Sequence, residues 1–266
     1  MKTERARLVR KPAKGWTPKI ITFDVDGVLI DVRGSYWRSA IETVRQLSGK
    51  RVTYKELYKW KAKPGHNDDW RLTSNWVTAL GTPTSYQRAR AAFEKVYWGV
   101  NGKPGNVRNE KFVITPGQIA RWARRFELNL FTGRTRKEFA CTFDAWPAGK
   151  HFRRVMTMDD VKNRKPHPEG LLKILGKRDR GSALYVGDNV DDALAASAAK
   201  VPFVAILPRG SLRYRSNAAR FRELGALAIL PSITALDAWL SRMHGRPGNS
   251  STARSSQNKD ERLLTR

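Results

Sequence analysis

The sequence predicts an α/β fold: a parallel sheet flanked by helices, with a small α-helical cap. Three observations predict it. Short apolar runs of strand length alternate with helical patterns over most of the chain, several of those runs end in a polar or acidic side chain, and one long interval breaks the alternation with helical patterns alone.

The strand-like runs fall at 20–24, 128–132, 155–158, 183–187, 203–207 and 226–230, and the helical patterns near 135–145, 167–176, 190–199, 215–224 and 232–243. Strands separated by helices imply parallel pairing, because each crossover must return the chain to the same end of the sheet. Ligands then gather beyond the carboxyl ends of the strands. Asp24, Thr132 and Asp188 stand at three such ends.

The exception runs from about 33 to 115. Residues 35–47 place Trp37, Ile41, Val44 and Leu47 on one helical face. Thr53 and Glu56 match a capping box and start a second helix, and two more follow near 70–80 and 85–98. Trp37, Trp60, Trp76 and Trp98 read as the core of this small helical unit. The resulting organisation is a basic, mobile arm over 1–17, an α/β core over 18–33 and 116–243, a helical cap over 34–115, and a disordered tail over 244–266. The tail is rich in Ser, Gly and charge, too polar to bury a core of its own.

Composition narrows the class. No run of about 18 apolar residues exists, so a membrane-spanning helix is excluded. The basic start has no apolar stretch after it and does not read as a secretory signal, so a cytoplasmic location is the expectation. A single cysteine, Cys141, excludes an intramolecular disulfide framework and reads as a small apolar group on a helix. With 51 Lys+Arg against 24 Asp+Glu, the chain carries a formal net charge of +27. Such a field attracts anions, from phosphorylated metabolites to nucleic acid. The basic residues are scattered, which favours a generally basic surface over a dedicated nucleic-acid face.

Four short motifs follow one another along the chain. Asp24-Val25-Asp26-Gly27 ends the first strand with two carboxylates; the glycine lets the chain turn out of the strand so that the second can swing back toward the first. Phe131-Thr132-Gly133-Arg134 places a hydroxyl at another strand end. Arg164-Lys165-Pro166-His167-Pro168 fixes a lysine before a helix start. Val186-Gly187-Asp188-Asn189-Val190-Asp191-Asp192 leads a strand into an acidic cluster.

In this order the motifs resemble those of the haloacid dehalogenase superfamily of phosphotransferases, over about residues 18–243. The helical insert between the first and second motifs resembles the subgroup that includes phosphoglycolate phosphatases and β-phosphoglucomutases. The resemblance implies a Rossmann-like sheet and a Mg²⁺-dependent phosphatase acting on a small phosphorylated metabolite. Asp24 would be the nucleophile and Asp26 the general acid and base. Thr132, Gly133, Arg134 and Lys165 would meet the substrate. Asp24, Asp188, the Asp26 backbone carbonyl and, directly or in support, Asp192 would hold the metal. A phosphomutase of the same fold is one alternative; a nucleic-acid-binding protein or polynucleotide-end phosphatase using the basic surface is another. In the cap, His66, Asn67, Asp68 and Asp69 form a polar loop, with helix capping by Asn67 or Asp68 as its simplest role.

Overall fold

The computed structural model describes residues 7–8, 16–61, 66, 68–211 and 214–243. The tail over 244–266 lies outside them, as do Asn67 and all of the basic arm except residues 7–8 and 16–17.

Six strands form a parallel sheet in the order Phe152–Met156, Glu127–Phe131, Ile20–Phe23, Ala183–Gly187, Phe203–Ile206 and Ala228–Leu230. Arg7–Leu8 extends the edge beyond Ala228–Leu230 as a short antiparallel strand, inside the stretch that composition reads as an arm. The strands are apolar almost throughout because both faces are covered. Phe23, Leu130, Val186 and Val204 point to one buried cluster, and Ile20, Phe131, Tyr185 and Phe203 to the other.

Ile20–Phe23 lies centrally, with Phe23 in register with both Leu130 and Val186. The chain leaves this strand toward one neighbour and later returns on its other side, which makes a topological switch point. Asp24, Thr132 and Asp188 therefore emerge side by side at one end of the sheet.

The cap follows directly. A five-residue π-turn, Arg33–Trp37, leads into α1 (Arg38–Ser48), α2 (Tyr54–Lys61), α3 (Asp69–Ala79) and α4 (Tyr86–Trp98). The Asp68 carboxylate caps α3, accepting the N–H groups of Trp70 and Arg71. The two crossings between cap and sheet are tied together where Ile30–Asp31 pairs antiparallel with Lys111–Phe112. The sheet is covered by α5 (Pro116–Ala123), α6 (Arg136–Phe143), α7 (Glu169–Leu175), α8 (Val190–Ala199), α9 (Tyr214–Glu223) and α10 (Leu236–Met243).

Two expectations differ from what is seen. The strand read over 155–158 begins at Phe152, because Arg153 and Arg154 disguise it; both are exposed on an edge strand, where charge is tolerated. Cys141 is exposed on α6 and does not pack as an apolar residue, since Thr142 and Phe143 take the inward positions.

α7 rests on the sheet through Gly170. A Cβ there would stand 2.2 Å from Cε2 of Phe131, the residue before Thr132. Gly170→Ala should lower stability by about 1–3 kcal/mol in chemical denaturation, because overpacking outweighs the helix propensity gained. An unchanged or raised midpoint would contradict this packing.

Candidate active site

The segment after Ile20–Phe23 is held by its own backbone. The N–H groups of Val28, Leu29 and Ile30 converge on the Val25 carbonyl, and Gly27 N–H donates to the Ile30 carbonyl. Val25, Val28, Leu29 and Ile30 are fully buried, so the loop is anchored on both sides of the two acids. Gly27 adopts φ +78°, and a Cβ on it would lie 2.3 Å from Asp188 Oδ2. No other residue type supplies both that backbone conformation and that close approach.

Lys165 occupies the centre. Its Nζ donates to Asp24 Oδ1 at 2.8 Å, to Asp192 Oδ1 at 2.8 Å and to the Tyr185 hydroxyl at 3.0 Å. Only 7% of its side chain is exposed. Burial alone would pull the ammonium's pKa down, but the charges of Asp192 and Asp24 overcome this and hold it above the ordinary lysine value. Burial drives Asp24 the other way, well above the usual carboxylate range; Lys165 opposes that shift, while Asp192, Asp26 and Asp188 reinforce it.

The acids divide by what they touch. Asp24, Asp188 and Asp192 each offer an oxygen within 4.8 Å of the others. Asp192 is already engaged on both oxygens: Oδ1 accepts from Lys165 and Tyr185, Oδ2 from the N–H groups of Asp188 and Asn189. Asp191 stands at the cavity wall, partly exposed. The Asp26 carboxylate lies outside this trio. Its Oδ1 accepts from both Nε and Nη2 of Arg134, at 2.9 and 2.6 Å.

Thr132 is buried, and its Oγ1 accepts the Arg134 N–H at 3.1 Å, so Gly133 and Arg134 form the cavity wall there. Arg134 differs from expectation. Its side chain is buried, and its donors go to Asp26, Glu110, the Glu138 carbonyl and Thr142 instead of standing free for a substrate. Above these groups opens a cavity of about 620 Å³, to which the cap contributes Trp37, Lys61 and Arg71. Trp37, read as cap core, thus also lines the cavity. In the polar cap loop, Asp69 pairs with Lys61 and His66 with Asn75.

Tyr185, Glu110 and Tyr97 belong to this constellation and escape a sequence reading. Tyr185 sits within an apolar strand as an ordinary aromatic. Glu110 and Tyr97 carry no motif, and only the folded cap crossing brings them to Arg134.

The family profile of haloacid dehalogenase-like hydrolases matches residues 122–206, which hold the second, third and fourth motifs. The chain is 30% identical over 200 residues to an imidazoleglycerol-phosphate dehydratase of Phytophthora nicotianae, covering 71% of this chain but only 43% of that protein. It is 24% identical over 200 residues to a phosphoglycolate phosphatase of Pseudomonas fluorescens, covering 73% of this chain and 71% of the relative. The crystal structure of a haloacid dehalogenase-like protein of Agrobacterium tumefaciens shares the fold with a TM-score of 0.64 at 15% identity, covering 86% of this chain and all of that one. In fold, and in sequence over 122–206, the chain is similar to haloacid dehalogenase-like hydrolases. Among the described residues, no helix is long and apolar enough to cross a membrane.

The loop presenting Lys165 is pinned by Glu169. Its carboxylate accepts the N–H groups of Lys162 and Asn163 and pairs with Lys173, and these bonds lower its pKa to about 2, the Lys173 bond most. A depressed carboxylate stabilises the fold above its unfolded pKa of about 4.5 and loses that contribution as pH falls toward 2. An NMR titration should place the Glu169 midpoint near 2; a value near 4.5 would show the loop is not held this way.

Proposed function

We propose that the protein is a Mg²⁺-dependent phosphatase that hydrolyses a phosphomonoester of a small metabolite through an aspartyl-phosphate on Asp24. The observation that carries this reading is Lys165 bound at once to Asp24 and Asp192, beside Asp188, beneath a capped cavity.

The chemistry follows from the groups. An Asp24 oxygen attacks phosphorus as the ester P–O bond breaks, and the proton on Asp26 passes to the departing alkoxide. In the second step Asp26 takes a proton from water as its oxygen attacks phosphorus. The Asp24–phosphorus bond then breaks, releasing phosphate. Lys165 holds positive charge beside the nucleophile throughout. Thr132 and the backbone at Gly133 take phosphoryl oxygens.

Clustered carboxylates repel one another and an incoming phosphate dianion, and a single lysine does not balance them. The donor set of carboxylate oxygens suits a hard divalent cation, and Gly27 leaves Asp188 the room to face Asp24. Asp24 and Asp188, with the Asp26 carbonyl, would hold Mg²⁺, while Asp192 supports Lys165. The ion supplies charge neutralisation and orients the phosphoryl group. The cap would close over the substrate and exclude bulk water.

A phosphate-release screen over phosphorylated metabolites, 2-phosphoglycolate among them, tests this reading. Asp24→Asn should lower phosphate release by more than about a thousandfold with the fold intact. Activity of the variant near that of the parent would remove Asp24 as nucleophile. Chelation should abolish turnover and excess Mg²⁺ restore it; activity that survives chelation would contradict a metal requirement.

A further inference from the structure

Arg134 is among the largest fully buried side chains of the protein, and it lies where three parts of the chain meet. One edge of its guanidinium, Nε and Nη2, grips a single oxygen of Asp26. Its remaining terminus, Nη1, reaches Glu110 Oε2 at 2.8 Å and Thr142 Oγ1 at 3.0 Å. Thr142 in turn donates to Glu110 Oε2 at 2.7 Å, and the Tyr97 hydroxyl of α4 donates to Glu110 Oε1 at 2.8 Å. The Tyr36 ring, on the outgoing cap crossing, lies 5.4 Å from the guanidinium carbon.

The chain of contacts thus runs from a cap helix, through the returning crossing at Glu110, to the carboxylate of Asp26. Asp26 keeps 30% of its side chain exposed at the cavity, while Arg134 and Glu110 are almost wholly enclosed. A buried Arg–carboxylate network need not favour stability over an apolar replacement. What it does supply is direction. Two donors on Oδ1 fix the rotation of the carboxylate and leave Oδ2 outside the guanidinium's grip, on a side chain that lines the cavity.

We infer that Arg134 and Glu110 are positioning residues for Asp26, aiming Oδ2 at the leaving-group oxygen and tying that aim to the seating of the cap. This rests on the acid–base role of Asp26 proposed above. Misdirecting the acid slows the departure of a poor leaving group and matters little for one that departs as a stable anion, whereas a general loss of structure slows both alike.

Phenyl phosphate and 4-nitrophenyl phosphate form the test pair, since they differ little in size and strongly in leaving-group basicity. Arg134→Met should lower kcat/KM, which reports only the steps up to leaving-group departure, by about tenfold or more on phenyl phosphate and by less than about threefold on 4-nitrophenyl phosphate. Combining it with Asp26→Asn should add no more than about threefold to the Asp26→Asn loss, because both act at one step. Glu110→Gln, which preserves shape, should show the same preference more weakly, and carries the comparison if Arg134→Met does not fold. Equal losses on both esters, or losses that multiply in the double variant, would overturn the positioning role. If Asp26→Asn itself lowers kcat/KM equally for both esters, the acid role of Asp26 fails and this inference with it. If Asp26→Asn discriminates and neither Arg134→Met nor Glu110→Gln does, only the positioning role is lost.

Discussion

The ammonium of Lys165, lodged between Asp24 and Asp192 beneath the cap, is the interaction on which the site depends. Several carboxylates at the end of one buried sheet would otherwise repel each other, and burial already raises the proton affinity of Asp24. Removing one partner of a buried ion pair leaves an uncompensated charge, at a penalty of about 3–5 kcal/mol. Much of the local structure serves to keep this lysine in place. Tyr185 supplies a third oxygen to Nζ, Asp192 is itself fixed by the N–H groups of Asp188 and Asn189, and Glu169 staples the loop that carries Lys165.

Sheet order makes the meeting possible. Asp24 and Lys165 are 141 residues apart in sequence. They come together because Ile20–Phe23 lies between Glu127–Phe131 and Ala183–Gly187, with the loop to α7 folded over the same end. The cap is inserted directly after Ile20–Phe23, where the chain leaves the sheet at that same end. Its two crossings share a short antiparallel pairing and close around Arg134, so the cap and the end of the sheet meet through a buried polar network and not through a loose hinge alone.

Much of this was legible from residues. Parallel strands between helices follow from apolar runs of strand length, and the switch-point acids from the abrupt Asp24-Val25-Asp26-Gly27 ending. The cap helices announced themselves through periodicity and capping, as at Thr53 and Glu56, whose mutual hydrogen bonds are present. What escaped depends on tertiary contact. Phe152 was hidden behind two arginines that only an edge strand tolerates. Arg134 looked like a residue facing the substrate, because its motif places it after Thr132-Gly133. Its actual direction is set by Glu110 and Asp26, which are remote in sequence. Arg7–Leu8 is too short and polar to read as a strand, and pairs only because Ala228–Leu230 offers it an open edge.

In the proposed reaction, Lys165 and its acidic neighbours make Asp24 the group that accepts the phosphoryl moiety. Acid quenching during turnover, borohydride reduction of any acyl phosphate and peptide mass mapping test it most directly. The account predicts conversion of Asp24, and of no other carboxylate, to homoserine. Conversion at Asp26, Asp188 or Asp192, or unmodified Asp24 in protein quenched during active turnover, would contradict it.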